Sequence, residues 1–291
     1  MNRYPRRFPG AILRPCLFLL LAASSGAQTG AKLAIDAFSF RQYEGGPEVA
    51  AGFRAQPGSL LHVEFRVSGF GKSDDDDPKV RLDYSVLVTD SAGLLLADPK
   101  AGKVEVELAD EDREWRPKIA ASFALPLYLR PGEYRVTVGL RDRIANSEAR
   151  GAFPFSVSGE EVPSSNTLTA YKFEWFRSEL EADPLRVAAY RPGEPVWGRF
   201  LMTGFKVNED RRVNIEYGLT LSGESGKILF QQELCAREDK KFPYPPAYLP
   251  GVVNLQPDSK VAPGTYTITL ILRDLIAGTT SESRHSFRIE R

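Results

Sequence analysis

The sequence predicts an all-β protein made of two tandem antiparallel β-sandwich domains, and three observations carry that prediction. The second half of the chain repeats the first. Apolar residues stand at every second position. Proline and glycine fall where the alternating runs end. The chain has 291 residues, 42% hydrophobic and 26% charged, an ordinary globular composition over a length that fits about two domains. Its 24 glycines and 21 prolines suit a fold with many turns. A domain of roughly 120 residues buries about two-thirds of its unfolded surface, so each half can hold its own core.

The repeat is legible in order along the chain. Pro57-Gly58 opens a run that ends at Ser68-Gly69-Phe70, and Pro192-Gly193 opens one that ends at Thr203-Gly204-Phe205. Val80, Leu82, Tyr84, Val86 and Val88 then alternate along a second run, matched by Val213, Ile215, Tyr217, Leu219 and Leu221. Gly93 and Gly226 close equivalent turns. Pro131-Gly132-Glu133-Tyr134 leads to Arg141-Asp142-x-Ile144-Ala145, as Pro263-Gly264-Thr265-Tyr266 leads to Arg273-Asp274-x-Ile276-Ala277. Each copy finishes on a short run, Phe153-x-Phe155-x-Val157 and His285-x-Phe287-x-Ile289. The offset drifts only from 135 residues (Gly58 to Gly193) to 132 (Gly132 to Gly264), and the deletions fall in loops. Self-similarity at one spacing is the mark of a duplicated architecture.

Within the runs the period is two. Tyr134, Val136, Val138 and Leu140 share one face, while Arg135, Thr137 and Arg141 share the other. That alternation belongs to half-buried antiparallel strands, and several short strands at regular spacing make a sandwich or barrel. No long segment has a 3.6-residue period. Trp175, in phase with Tyr171 and Phe173 on a first strand, is expected to be structural, as is Trp115. Domain one is placed at 31–158 and domain two at 169–291. The polar linker 159–168, GEEVPSSNTL, is short enough to hold the modules end to end with limited hinge motion.

The Pro-Gly-x-Tyr opening of a late strand resembles the tyrosine corner of immunoglobulin-like folds, where a tyrosine opens the sixth strand and bonds back to nearby backbone. Tyr134 and Tyr266 stand in that place. Val136 and Ile268 stand where antibody domains carry a cysteine. Over both repeats the chain resembles the broad class of bacterial immunoglobulin-like and fibronectin-type-III-like exported modules. The resemblance implies two immunoglobulin-like sandwiches, and the missing Cys pair sets them apart from antibody-type domains.

The N-terminus reads as a targeting segment. Arg3, Arg6, Arg7 and Arg14 precede an apolar run from Leu17 to Ala23, and Ser25-Gly26-Ala27 supplies small residues for cleavage. This is a secretory signal peptide over 1–27, which places the mature protein outside the cytoplasm, in the periplasm or secreted. The run is too short to span a bilayer comfortably, and no later stretch is a candidate transmembrane anchor. Cleavage removes four arginines and no acid, which takes 38 Lys+Arg against 38 Asp+Glu to a net charge of −4. That balance argues against nucleic acid and anionic membrane surfaces as partners. Cys16 leaves with the signal, so Cys235 has no intramolecular disulfide partner. A half-buried inert thiol and a bond between chains both fit it.

Chemistry is sparse. His62 is expected to point outward beside Glu64 and Arg66, and His285 to pack where the first copy has Phe153. No G-x-S-x-G elbow, zinc-ligand spacing or phosphate loop is present, so no catalytic residue and no cofactor is assigned. Asp74, Asp75, Asp76 and Asp77 form an acidic run before Pro78. Extracellular modules bind calcium through clustered loop carboxylates, but this run lacks the alternation of an EF-hand loop, so a solvated loop is the competing reading. Aromatic residues are the better binding candidates. Trp197 stands at the outward register position of His62, and the loop Phe242-Pro243-Tyr244-Pro245-Pro246-Ala247-Tyr248 carries three rings. Trp197, Tyr244 and Tyr248 are the candidate ligand-binding residues, for a protein partner or, as stacking platforms, for a surface glycan. The same rings can instead cover a sandwich edge or pack on domain one. The expected protein is an exported, non-enzymatic binding or scaffold protein.

Overall fold

The structure is a computed structural model that describes residues 32–74, 76–109, 112 and 114–291; the expected signal peptide lies outside these residues. It contains β1 (Ala34–Arg41), β2 (Arg54–Ala55), β3 (Leu60–Ser68), β4 (Lys79–Thr89), β5 (Lys100–Glu107), β6 (Lys118–Ala124), β7 (Gly132–Asp142) and β8 (Ser147–Val157). The same series recurs as β9 (Thr169–Phe176), β10 (Ala189–Tyr190), β11 (Val196–Thr203), β12 (Arg212–Ser222), β13 (Ile228–Lys241), β14 (Leu249–Leu255), β15 (Gly264–Asp274) and β16 (Thr279–Ile289). Each half makes a three-stranded and a five-stranded sheet. In domain one these are β1-β3-β6 and β2-β8-β7-β4-β5; in domain two they are β14-β11-β9 and β10-β16-β15-β12-β13. All pairings are antiparallel except the two-residue contacts β2–β8 and β10–β16. Two facing sheets with Greek-key connections make both halves immunoglobulin-like sandwiches.

Strand parity builds the cores. Leu61, Val63, Phe65 and Val67 of β3 face Val80, Leu82, Val86 and Val88 of β4 and Val136, Val138 and Leu140 of β7, all buried. Val196, Phe200, Val213, Ile215, Leu219, Ile268, Leu270 and Leu272 do the same in domain two. Each such side chain withdrawn from water contributes about 1.5–3 kcal/mol before entropy is counted.

Both tyrosine corners form. The Tyr134 hydroxyl donates to the Arg130 carbonyl at 2.9 Å, and Tyr266 donates to the Ala262 carbonyl at 2.8 Å. The repeated Arg-Asp ending acts as a clamp. Asp142 is fully buried; its Oδ1 accepts from the Ile144 and Ala145 amides at 2.8 and 3.0 Å, and its Oδ2 accepts from the Gly71 amide at 2.5 Å. Asp274 repeats this with the Ile276 and Ala277 amides at 2.9 and 3.0 Å and the Lys206 amide at 2.6 Å. Each carboxylate therefore ties the last hairpin to the loop after the second long strand.

One expectation is corrected. Ala37 in β1 and Lys172 in β9 have φ of 47° and 51°, and the strand register shifts at both. A single left-handed residue is a bulge that reverses parity beyond it. Tyr171 is thus not in phase with Phe173 and Trp175. It pairs with Leu201 on the outer face, while Phe173 and Trp175 pack on the core. The bulges also align two equivalent stacks, Phe38 on Phe153 and Phe173 on His285, each with ring centroids 3.7 Å apart.

The two sandwiches meet through exchanged tyrosines. Tyr128, in the loop after β6, packs against the core of domain two, and its carbonyl accepts from the Ala247 amide at 3.0 Å. Tyr244, in the loop after β13, packs against the core of domain one and donates its hydroxyl to Asp90 Oδ2 at 3.0 Å. Burial, reinforced by the Asp90 carboxylate, pushes the Tyr244 hydroxyl well above its ordinary range.

Candidate binding surface on domain two

The outer faces of the two small sheets differ in chemistry. In domain one, β3 presents His62, Glu64 and Arg66. Glu64 is buried on this outer face by ion pairs to Arg41 at 2.9 Å and Lys118 at 2.8 Å, and Arg116 reaches Asp36 at 3.7 Å. The hydrogen bond from Lys118 and the Arg41 charge hold the Glu64 carboxyl below its ordinary pKa against the opposing effect of burial. The face is sealed by its own charges.

Domain two has no buried carboxylate on that face among the described residues; its ion pair there, Lys172 to Glu160 at 3.0 Å, is exposed and borders a groove. Along β11, Val196, Gly198 and Phe200 are buried, and Trp197, Arg199 and Leu201 alternate with them on the outside. Cross-strand pairing sets Trp197 between Phe176 and Asn254, Arg199 between Glu174 and Val252, and Leu201 between Tyr171 and Pro250. Val252 is exposed. The Arg199 guanidinium lies 4.0 Å from the centre of the Phe176 ring and donates to the carbonyls of Ser178, Glu179 and Glu181, so it fixes the loop beside the sheet. A shallow groove of about 250 Å³ runs over this face from Phe176 and Arg199 to Tyr248.

The structure separates the three predicted rings. Trp197 is half-buried on the outer sheet face, as the alternation implied. Tyr248 borders the same groove and meets Tyr128 edge-on at 5.6 Å. Tyr244 lies in the junction with domain one and does not join them. Parity alone points to Leu201 beside Trp197; Val252 and Pro250 join them only through the β11–β14 register.

Asp74, Asp76 and Asp77 are exposed, and Asp75 lies outside the described residues. No group of three metal-ligating side chains occurs among the described residues. His62 Nδ1 lies 2.7 Å from Ser122 Oγ, and His285 Nε2 lies 2.8 Å from Ser283 Oγ. No carboxylate hydrogen-bonds either ring among the described residues, so neither pair has the third group that orients a catalytic imidazole. Cys235 lies in a β13 bulge opposite Gly218, packed on the domain-two core, and burial pushes its thiol up and away from the reactive thiolate.

Burial lowers the His285 pKa below its ordinary 6.5. The unfolded chain then binds the proton more readily, so stability is complete above pH 6.5 and falls as pH drops through that value. Phe153 stands at the same place in domain one and does not titrate. His285→Phe is expected to flatten the loss of domain-two stability between about pH 7 and pH 5. Urea midpoints at the two pH values check this.

No protein-family model matches the chain, and no curated protein does. Among solved structures it is similar to the C-terminal domain of the antigen I/II-family protein AspA of Streptococcus pyogenes, at 10% identity over 89% of this chain and 99% of that one, with a TM-score of 0.30. It is similar to the C-terminal domain of the AgI/II polypeptide BspA of Streptococcus agalactiae, at 8% identity over 88% and 100%, TM-score 0.28. Escherichia coli alpha-2-macroglobulin matches at 11% identity over 89% of this chain but only 22% of its own, TM-score 0.27. Likenesses this distant carry no argument about activity. The chain's own sheets establish its fold, two tandem immunoglobulin-like antiparallel sandwiches.

Proposed function

We propose that the protein is an exported, non-enzymatic binding or scaffold protein that recognises a protein partner through the outer face of the small sheet in domain two. The boundaries 31–158 and 169–291 and the signal peptide over 1–27 belong to this proposal. The observation that carries it is the contrast between the two small sheets. One outer face is closed by the Arg41–Glu64–Lys118 network, and its counterpart presents Leu201, Val252 and Pro250 along a groove, with Trp197 beside Phe176 next to it. Rigid aromatic and aliphatic groups on a flat strand surface are what protein interfaces concentrate at their centres. No helix among the described residues is long and apolar enough to cross a membrane.

With the full chain as bait, one stoichiometric partner from the exported fraction is the expected result. Trp197→Ala with Leu201→Ser is expected to weaken its retention at least about tenfold. Both side chains stand outside the core, so the thermal midpoint stays near that of the parent. A double variant that holds the partner as tightly as the parent would sink this surface. A second reading has one observation in its favour. Trp197 stands directly beside Asn254, and a ring with a neighbouring amide suits a sugar's apolar face and its hydroxyls. A glycan-array signal lost in Trp197→Ala would support that reading.

A further inference from the structure

The junction between the domains has an empty counterpart at the far end of domain two. In domain one, the cleft between the turn after β4 and the end of β6 is where Tyr244 enters, flanked by Pro243 and Pro246. Leu96, whose amide donates to the Val88 carbonyl, is only 1% exposed there. The repeat carries Val88 onto Leu221, and across from Leu221 stands Phe230, which is 44% exposed. Its neighbour Leu229 is 53% exposed. Between these two residues and Leu255, Pro257, Asp258 and Val261 lies an open cavity of about 430 Å³. Its lining follows the repeat, since Pro257 matches Leu125 and Val261 matches Leu129, both buried in domain one.

The repeat carries Asp90 onto Gly223, but a carboxylate reaches the cavity from the opposite loop. Asp90 uses Oδ1 to hold its own turn, through the Ala92 and Leu94 amides at 2.9 and 2.8 Å, and Oδ2 to receive the Tyr244 hydroxyl. Asp258, on the rim of the domain-two cavity, uses Oδ1 to hold its own turn through the Lys260 amide at 2.7 Å. Its Oδ2 makes no hydrogen bond among the described residues.

We infer that this open end of domain two is a docking cleft for a proline-flanked tyrosine loop of a partner protein, a loop of the chemistry that domain two itself presents to domain one. The ring fills the gap against Leu229, Phe230 and Leu255, and its hydroxyl donates to Asp258. Flanking prolines hold such a loop extended before it binds, which lowers the entropy lost on docking. The two exposed apolar residues at the start of β13 are then the uncovered half of a contact whose covered form exists at the junction. The cleft reaches Asn254, the cross-strand neighbour of Trp197, but Trp197 itself does not line it, so the Leu229→Glu and Trp197→Ala variants separate this inference from the sheet-face proposal.

The test titrates the synthetic peptide Phe-Pro-Tyr-Pro-Pro-Ala-Tyr-Leu, the chain's own residues 242–249, into the full-length mature protein and follows backbone amide shifts. Saturable shifts confined to residues 228–231 and 254–261 are expected. Leu229→Glu, an exposed change that leaves the core intact, is expected to weaken binding at least about tenfold, and Trp197→Ala to leave it unaltered. Replacing the peptide's first tyrosine by phenylalanine is expected to weaken binding severalfold in the parent and to have no effect in Asp258→Ala. No shifts at about 5 mM peptide, or shifts that persist in Leu229→Glu, overturn the inference. Self-association in sedimentation that Leu229→Glu abolishes also overturns it, because the occupant is then a second copy of this chain.

Discussion

Replacing Asp142 or Asp274 by alanine is expected to cost about 3–5 kcal/mol, the largest loss from any single side chain here. Each carboxylate is essentially buried and accepts three backbone amides. A hydrogen bond to a charged acceptor contributes about 1.5–3 kcal/mol, and three on one group do not simply add. Alanine removes all the acceptors at once and leaves the amides without partners. Asparagine keeps one oxygen, enough for the Ile144 and Ala145 amides, but turns an NH2 group toward the Gly71 amide. Asp142→Asn is therefore expected to cost about 2 kcal/mol, between parent and alanine. Urea unfolding followed by fluorescence checks both. A loss below about 1 kcal/mol for Asp142→Ala would remove the clamp from the account.

Tyr244→Ala is expected to cost about 3–4 kcal/mol and to split a single unfolding transition into two. The ring comes from a loop of domain two and packs on the core of domain one, so its removal weakens the contact that joins the two sandwiches. Tyr244→Phe keeps the ring and loses only the bond to Asp90, which is expected to cost about 1–2 kcal/mol with a single transition retained. The hydroxyl pKa is raised from 10.0 by burial and by the Asp90 carboxylate, so this contribution is complete below pH 10 and is lost as pH rises beyond it. Calorimetry of the two variants separates ring from hydroxyl. A single, unshifted transition in Tyr244→Ala would mean that the junction carries no coupling.

Much of this was legible from local rules. Alternation along Tyr134–Leu140 marked the inward face, and the offset between the copies placed His285 where Phe153 stands, which the matching ring stacks bear out. The Pro-Gly-x-Tyr corner formed its backbone bond in both copies. What was not legible depends on partners far along the chain. Asp142 was visible as part of a repeated ending, but its role as clamp requires Gly71, 71 residues away. Tyr171 was misassigned because Lys172 adopts φ of 51°, and no glycine announces that reversal of parity. Tyr244 and Tyr248 looked equivalent in sequence, yet the loop turns one into the core of domain one and sets the other beside a groove. Trp197 needed only parity to be placed outside; its neighbours Asn254 and Val252 needed the strand register.

The exchange of Tyr128 and Tyr244 also decides how the molecule carries tension. A pull applied along the chain has two routes from one sandwich to the other. One is covalent, through Gly159–Leu168. The other runs through two rings, each seated in the opposite domain, and through the Ala247–Tyr128 backbone bond. Force is shared between them until the rings are drawn out, and only then does the linker bear the whole load. For a protein working between two attached partners, the junction acts as a mechanical fuse placed ahead of the cores.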